Sequence, residues 1–271
     1  MCLIAWNWQP QTSTPLLVLS NRDEYYDRAT LPLHWWDGAG HEPQLLAGQD
    51  RQAGGTWLGL SRTGRLAALT NYRTTDPVQV DSPSRGELVT QFLNSNLTAA
   101  EFLGQLSARS HLYNPFNLLV CDGQQLLGLQ SRNKNIVKFN AGVGAVSNAD
   151  FNTPWPKLTR LRHDLQKSLE QKKMTVSDLL PLLHLRNVAP DAELPQTGVG
   201  VELERLLSAT FITSPHYGTR ACSIISMHAK HAEFTEQSFG PKGLLGQHQE
   251  SFALNPQVAA VGALIRTVSP D

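Results

Sequence analysis

Residues 1–24 read MCLIAWNWQPQTSTPLLVLSNRDE and decide how the fold begins. Residues 2–8 and 15–22 are dominated by apolar side chains, many of them aromatic or β-branched, and the turn-forming residues 9–14 separate them. This pattern predicts two β-strands joined by a short connection. Because short connections join antiparallel neighbours, we expect the chain to open with an antiparallel pair.

Blocks of strands and blocks of helices alternate along the rest of the chain. Apolar runs bounded by turn residues predict further strands at 57–61, 65–71, 116–121, 126–131, 135–139, 141–147, 209–213, 218–227 and 232–239. The Asp122-Gly123 pair is a strong hairpin turn. Capping residues and helical spacing predict helices from Ser82 or Ser84 to about residue 94, from a capping box at Thr98 and Glu101, from Pro156, and near 176–185. Because hairpins outnumber β-α-β crossovers, we expect an α+β layered sandwich of mostly antiparallel sheets with helices outside.

Three segments lack a clear periodic pattern. Residues 31–56 are rich in Gly, Pro, Trp and polar side chains and are predicted to form a long surface loop, as are residues 187–200. The pattern fades after Gly240, which leaves 241–271 as a C-terminal extension of uncertain structure. Since no shift in composition marks a boundary, we expect a single domain over residues 1–271.

The composition excludes several classes of protein. The 271 residues carry 23 basic and 23 acidic side chains, and the charged share is 17%, below the roughly 25% that is usual in a globular domain. This balance excludes an intrinsically disordered chain and argues against binding of nucleic acid by bulk charge. The apolar run at 258–265 is too short to cross a bilayer, and no basic region precedes residue 2, so we expect neither stable membrane insertion nor a secretory signal. Three widely spaced cysteines without a Cys-x-x-Cys pair favour a cytoplasmic location.

Cys2 is the first candidate for chemistry, because only Met1 precedes it. Removal of the initiator methionine would leave Cys2 with a thiol and a free α-amine, whose ordinary pKa values are about 8.5 and about 7.7–8.0. An N-terminal amine can act as the base for the nucleophile of its own residue. The alternative interpretation is a small buried residue that opens a strand, because most free cysteines are buried and inert.

A polar cluster follows the apolar part of the second predicted strand. It consists of Asn21, Arg22, Asp23 and Glu24. Alternation along a strand predicts Asn21 and Asp23 on one face, and Arg22 and Glu24 on the other. An arginine near Cys2 would favour its thiolate, and a carboxylate would orient its amine. Weak surface ion pairs are the alternative interpretation.

Two asparagines end other predicted strands, Asn71 after 66–70 and Asn148 after 145–147. Amide donors at such positions can stabilise the oxyanion of an acyl-transfer intermediate, and loss of one donor raises the barrier by about 2.7–4 kcal/mol. Turn formation is the alternative interpretation for each asparagine.

Eight motifs occur in one order along the chain. They are Cys2, Asn21-Arg22-Asp23-Glu24, Gly54-Gly55-Thr56-Trp57-Leu58-Gly59, Leu69-Thr70-Asn71-Tyr72, Pro115-Phe116-Asn117-Leu118-Leu119, Ser147-Asn148, Thr153-Pro154-Trp155-Pro156-Lys157 and Tyr217-Gly218-Thr219-Arg220. Over residues 2–240 this series closely resembles the NRDE family, also called the transport and Golgi organisation protein 2 family. The resemblance implies an N-terminal-nucleophile hydrolase-like fold, a four-layer αββα sandwich of two antiparallel sheets. It also implies a similarity to choloylglycine hydrolases and penicillin V acylases.

The resemblance assigns roles to four residues of this chain. Cys2 matches the nucleophile, Asn148 the oxyanion asparagine, Asn71 a second donor, and Arg220 the arginine on a late strand. The chain departs from those enzymes at one point. Their second-strand arginine and aspartate are three residues apart, whereas Arg22 and Asp23 are adjacent. Either the strand bulges or ends here, or only one of the two side chains reaches Cys2.

Two hypotheses about function follow. The first is an amidohydrolase that uses Cys2 to cleave a linear amide or a related acyl compound and needs no metal or cofactor. The second is a non-catalytic carrier of haem or of an acyl or lipid ligand, to which the family's link with haem movement points. The segment 31–56 with His34 and the Trp35-Trp36 pair would then be the binding segment. His228 and His231 have no carboxylate or third histidine alongside in the sequence, so surface residues are favoured over metal ligands.

Overall fold

The computed structural model describes residues 2–37 and 44–255, which contain thirteen strands and five α-helices. The strands are β1 Cys2–Trp8, β2 Leu16–Tyr25, β3 Thr30–Trp35, β4 Leu45–Asp50, β5 Leu58–Ser61, β6 Leu66–Asn71, β7 Phe116–Cys121, β8 Leu126–Gln130, β9 Asn135–Lys138, β10 Gly142–Val146, β11 Tyr217–Met227, β12 His231–Gly240 and β13 Gly243–Ala253. The helices are α1 Gly86–Leu93, α2 Ala99–Arg109, α3 Pro156–Glu170, α4 Val176–Leu183 and α5 Val201–Leu207.

The strands form two sheets in which the neighbouring strands pair antiparallel. A six-stranded sheet has the order β10-β1-β2-β11-β12-β13. A seven-stranded sheet has the order β3-β4-β5-β6-β7-β8-β9. The antiparallel pairing predicted from the hairpins is confirmed.

Three hydrophobic cores separate four layers. Alternate residues of β1, such as Ile4 and Trp6, point between the two sheets and pack against residues of the seven-stranded sheet, such as Leu46. The outer face of the seven-stranded sheet packs on α1 and α2. The outer face of the six-stranded sheet, which includes Leu3 and Ala5, packs on α3 and α4. The order is therefore helices, sheet, sheet, helices, and the α+β sandwich predicted from the sequence is confirmed.

Local sequence explains several of the element ends. The hydroxyl of Thr98 accepts the backbone N–H of Glu101 while the Glu101 carboxylate accepts that of Thr98, which is the predicted capping box. Pro156 occupies the first turn of α3, where its missing N–H costs nothing. Gly123 adopts φ +88° in the turn between β7 and β8, a value that glycine reaches without strain.

Four predictions about elements were wrong or incomplete. Residues 31–56 are not one surface loop, because they contain most of β3 and all of β4. Residues 209–213 form no strand; their apolar pattern comes from burial against the helical layer, and only Thr213 makes an isolated bridge. Helix α5 was not predicted. Part of the tail forms β13, which pairs with β12, while 256–271 lie outside the described residues.

The second strand extends further than its apolar run. Residues Asn21 to Glu24 lie inside β2 because β11 continues to pair with it, with Thr219 opposite Asp23 and Gly218 opposite Glu24. The predicted start of α1 also differs, because its N-cap is Arg85 and the hydroxyl of Ser84 accepts only the N–H of Gly86. In the described part of the chain, no helix is both long and apolar enough to cross a membrane. The cytoplasmic location stays a prediction.

Candidate active site

Cys2 opens β1 and its side chain lies between the two sheets. The residue is 6% exposed and belongs to the core between the sheets. Its side chain also borders a cavity of about 380 Å³. The lining residues are Cys2, Arg22, Glu24, Arg28, Asp50, Ala53, Thr56, Trp57, Leu69, Asn71, Val78, Gln79, Val80, Ser82, Pro83, Ser84, Arg85, Gly86 and Asn114. Cys2 therefore combines burial with access to a cavity that is rich in charged and amide side chains.

Arg22 lies beside Cys2 because the ladder between β1 and β2 pairs these two residues. Its guanidinium lies over the ring of Trp57 at 4.3 Å, and Nη1 donates a hydrogen bond to Thr30 Oγ1 at 3.1 Å. These contacts hold a buried cation at the wall of the cavity. Burial raises the pKa of the Cys2 thiol, and the positive charge of Arg22 acts in the opposite direction.

Glu24 lines the same cavity as Arg22, as the alternation along β2 predicts. Arg28 bridges two carboxylates of the lining, with Nη2 at 2.7 Å from Asp50 and Nε at 3.9 Å from Glu24. Arg85 adds a third guanidinium to the lining, and its Nη1 donates to the carbonyl of Pro115 at 3.1 Å.

The two asparagines lie together near the start of β1. Asn71 lines the cavity, and the Asn148 amide donates from Nδ2 to the carbonyl of Asn71 at 2.9 Å. Ser147 Oγ donates to the Cys2 carbonyl at 3.3 Å and lies 3.2 Å from Asn148 Oδ1. Asn148 is fully buried behind Asn71. The structure thus brings Cys2, Asn71 and Asn148 together, with Asn71 nearer the cavity.

Asp23 lies on the opposite face of β2, toward the helical layer. Its Oδ1 accepts a hydrogen bond from Thr219 Oγ1 at 2.7 Å, and its Oδ2 lies 3.9 Å from Lys157 Nζ. Lys157 and Thr219 occur in two of the eight motifs, and no role was predicted for either residue. No local signal marks Lys157, because its burial comes from the packing of α3 on the six-stranded sheet.

Two predicted site residues make structural contacts instead of lining the cavity. Asn21 donates from Nδ2 to the carbonyls of Leu183 and Thr210, both at 2.8 Å, and so ties β2 to the helical layer. Arg220 sits at a bulge of β11, between Thr219 and Ala221 of the ladder. Its Nη1 donates to the carbonyls of Tyr25, Tyr26 and Arg28, and its Nε donates to that of Phe239.

The residues of the carrier hypothesis lie on and just after β3. Trp35 Nε1 donates to Glu250 at 3.3 Å, Trp36 Nε1 donates to the carbonyl of Ala47 at 3.1 Å, and His34 Nδ1 lies 2.7 Å from the carbonyl of Pro32. The rings of His34 and Trp36 stack with centroids 6.2 Å apart. These side chains pack along the edge of the seven-stranded sheet, and the haem hypothesis stays a prediction.

The statement that His228 and His231 have no carboxylate alongside was wrong. The strand β12 places Glu233 Oε1 at 4.0 Å from His231 Nε2, and the ligand atoms of the three residues lie within 4.8 Å of one another. The two imidazole rings stack with centroids 4.1 Å apart. The group lies at the hairpin between β11 and β12, where the side chains of His231 and Glu233 are a little under half exposed.

Comparison with known proteins tests the resemblance read from the eight motifs. A family model described as Transport and Golgi organisation 2 matches residues 1–241. The chain belongs to this family. The Transport and Golgi organization protein 2 homolog of Homo sapiens is 33% identical over 267 residues, covering 90% of this chain and 95% of the human protein. The Transport and Golgi organization 2 homolog of Mus musculus is 33% identical over 262 residues, covering 88% and 93%.

Among solved structures, the chain is similar to the Caenorhabditis elegans N-acylethanolamine-hydrolyzing acid amidase ortholog. The TM-score is 0.50 at 12% identity, and the match covers 83% of this chain and 92% of the nematode chain. At this identity the likeness concerns the fold. The shared fold is the α+β sandwich of two antiparallel sheets that the sequence predicted.

Proposed function

We propose that the protein is an amidohydrolase that uses Cys2 as an N-terminal nucleophile after removal of Met1. One observation carries this proposal. The thiol of Cys2 borders a cavity that Arg22 and Asn71 also line. A core cysteine with only a packing role needs neither a cation nor an amide donor beside it.

The first half of the reaction forms an acyl-enzyme. The neutral α-amine of Cys2 takes the thiol proton, and the sulfur attacks the amide carbonyl of the substrate. The side-chain amide of Asn71 stabilises the oxyanion of the tetrahedral intermediate, and Asn148, which donates from Nδ2 to the Asn71 carbonyl, holds Asn71 in position. The C–N bond then breaks, the α-ammonium protonates the departing amine, and a thioester to Cys2 remains.

Water completes the cycle. The α-amine, neutral again, takes a proton from water, and the hydroxide attacks the thioester carbonyl. Collapse of the second tetrahedral intermediate breaks the C–S bond and releases a carboxylic acid. The departing thiolate of Cys2 takes back the proton from the α-ammonium, which regenerates the thiol and the neutral amine, so the atoms balance without a metal or a cofactor.

The cavity supports a small acyl substrate. Its volume of about 380 Å³ lies near the low end of the roughly 300–1,000 Å³ of typical ligand pockets. The buried side chains of Leu69 and Trp57 share the lining with the charged groups, which fits a short acyl chain joined to a polar leaving group. The amide hydrolysis named for the nematode protein is extended to this chain as part of the proposal.

The test combines mass and reactivity. Intact-mass analysis of protein from cells should show loss of Met1, and iodoacetamide should label Cys2 before Cys121 and Cys222. Burial raises the pKa of Cys121 to about 12 and raises that of Cys222 well above its ordinary value, so both should react slowly. Retention of Met1, or labelling of Cys2 no faster than of Cys222, would refute the nucleophile.

Turnover needs a separate assay. A panel of fluorogenic aminocoumarin amides with short acyl groups should show hydrolysis that Cys2→Ala abolishes and Cys222→Ala leaves intact. Titration with haemin and with acyl-CoA distinguishes the carrier hypothesis. Saturable binding that survives Cys2→Ala, with no hydrolysis of any amide, would favour a carrier over an enzyme.

A further inference from the structure

Lys157 carries a buried ammonium group, and two effects oppose its positive charge. Its side chain is 1% exposed, and within residues 2–37 and 44–255 its Nζ has no hydrogen-bond partner. It follows Pro156 in the first turn of α3, where the helix dipole is positive and disfavours a cation. A buried charge at such a position persists only when a nearby anion compensates it. That anion is Asp23, whose carboxylate is fully buried at 3.9 Å.

The other charged groups around Lys157 come from four elements. Arg73, after β6, and Glu204, on α5, form a buried ion pair with each other. Arg73 disfavours the charge on Lys157 and Glu204 favours it, and the effect of Arg73 is the larger of the two. Cys2 on β1 and Asp23 on β2 are the remaining ionisable neighbours of its ammonium. Lys157 also borders an outer cavity of about 650 Å³ whose charged lining residues are Arg160, His163 and Glu193.

Asp23 has its own neighbours on β11. Thr219 Oγ1 donates to its Oδ1, and Tyr217, which is largely buried, feels the negative charge of Asp23. Thr219 is neutral, and burial together with Asp23 raises the pKa of Tyr217 far above its ordinary value, so its phenol stays neutral too. Neither of these two side chains neutralises the charge of Asp23.

The register of the first two strands places the second amine. Cys2 pairs with Arg22 in the antiparallel ladder between β1 and β2. Asp23 is the next residue along β2, and it therefore lies toward the N-terminal end of β1, where the backbone nitrogen of Cys2 is. We propose that the α-amine of Cys2 and the ammonium of Lys157 share the Asp23 carboxylate, and that the charge on Lys157 keeps the α-amine neutral. This inference rests on the proposed function, in which the neutral α-amine is the base, and it makes Lys157 a positioning residue.

The physical reason is repulsion between two cations at one carboxylate. A second ammonium beside Lys157 would be near a like charge in a poorly solvated region, so only one of the two amines is charged at a time. Burial lowers the pKa of Lys157 to about 8, against the opposing effect of Asp23. That value lies close to the ordinary pKa of an α-amine, which is about 7.7–8.0. The two groups can therefore titrate as a coupled pair.

The experiment uses protein whose first residue is Cys2, released from a cleavable N-terminal fusion, so that it does not depend on processing in cells. With ¹³C,¹⁵N-labelled cysteine, the Cα and Cβ shifts of Cys2 report the titration of its amine and thiol. Lys157→Met removes the buried ammonium, and Lys167→Met on the exposed side of the same helix is the control. We expect the α-amine pKa to rise by at least about one pH unit in Lys157→Met and to stay unchanged in Lys167→Met.

An α-amine pKa that is the same in wild type, Lys157→Met and Lys167→Met would overturn the inference. A second measurement covers the case in which Lys157→Met does not fold. In wild-type protein with ¹³Cε-labelled lysine, one resonance should titrate near pH 8 together with the Cys2 amine; if every lysine titrates near its ordinary pKa of about 10.4, the inference fails. Both of these results are independent of the test of the proposed function, which measures the removal of Met1 and the hydrolysis of amides.

Discussion

The ion pair between Arg73 and Glu204 carries the sharpest prediction about stability. Both side chains are about 95% buried, and Arg73 Nη1 donates to Glu204 Oε2. The other carboxylate oxygen of Glu204 accepts the backbone N–H and the hydroxyl of Thr197. The guanidinium of Arg73 lies 4.6 Å from the ring of Trp155, and the backbone N–H of Arg73 donates to the Asn148 carbonyl. The pair therefore joins α5 and the preceding loop to the asparagine side of the candidate site.

The perturbation is Glu204→Gln, which keeps the shape and the carbonyl acceptor for Thr197 but removes the charge. Arg73 is then a buried cation without its anion, and its Nε and Nη2 already have no hydrogen-bond partner among the described residues. Removing one partner of a buried pair costs about 3–5 kcal/mol. For a chain somewhat above 250 residues this corresponds to a fall in Tm of roughly 10 °C.

Urea and thermal unfolding measure the change, with Asp191→Asn as the matched control. Asp191 pairs with Arg205, which lies on α5 next to Glu204, but that pair is exposed to solvent. Its loss should therefore change stability little. The double variant Arg73→Met with Glu204→Gln removes both charges and should recover part of the loss. A cost below about 1 kcal/mol for Glu204→Gln, or a double variant less stable than the single one, would refute the reasoning.

Four further substitutions test other parts of the fold. Burial raises the pKa of Glu236 to about 7, above its unfolded value of about 4.3, so its contribution to stability is complete below about pH 4.5 and is lost as the pH rises to about 7. Glu236→Gln should flatten the urea-unfolding free energy over that range, and an unchanged slope would count against the assignment. Asn21→Ala removes two hydrogen bonds to buried carbonyls and should cost about 2–4 kcal/mol in the same assay; a cost under about 1 kcal/mol contradicts the cross-link. In Gly144→Ala the added Cβ would lie 2.3 Å from the ring of Trp6, which predicts a loss of about 1–3 kcal/mol, whereas Gly104→Ala in α2 meets no atom within 4 Å and should stabilise.

Local chemistry made much of the fold predictable. The capping box at Thr98 and the turn at Gly123 depend on side chains within four residues of one another, and the structure has both. Alternation along β2 was also predictable, because a strand turns successive side chains to opposite faces. The family followed from the order of eight motifs, and the match over residues 1–241 confirms it.

Contacts between distant segments were not predictable in the same way. Strands β3 and β4 carry Gly, Pro and paired tryptophans, and they are strands because β5 supplies a hydrogen-bonding neighbour for β4. Lys157 looked like an ordinary residue at the start of a helix, since its exposure is set by the sheet that it faces. Arg220 matched a family position, but the bulge of β11 directs its donors to the turn after β2.

Arg22 and Asp23 are adjacent in the sequence, but they point to opposite faces of β2 and contact different groups. Because β2 continues without a bulge of its own through these residues, Arg22 faces the cavity with Cys2, and Asp23 faces Lys157 and Thr219. The thiol of Cys2 belongs to the core on the first face, and its backbone nitrogen begins β1. At the first residue of β1, a cation on one face of β2 can act on the sulfur and a carboxylate on the other face can act on the amine of the same amino acid. The two faces of β2 thus hold Arg22 and Asp23 apart, with Arg22 at the cavity and Asp23 at Lys157.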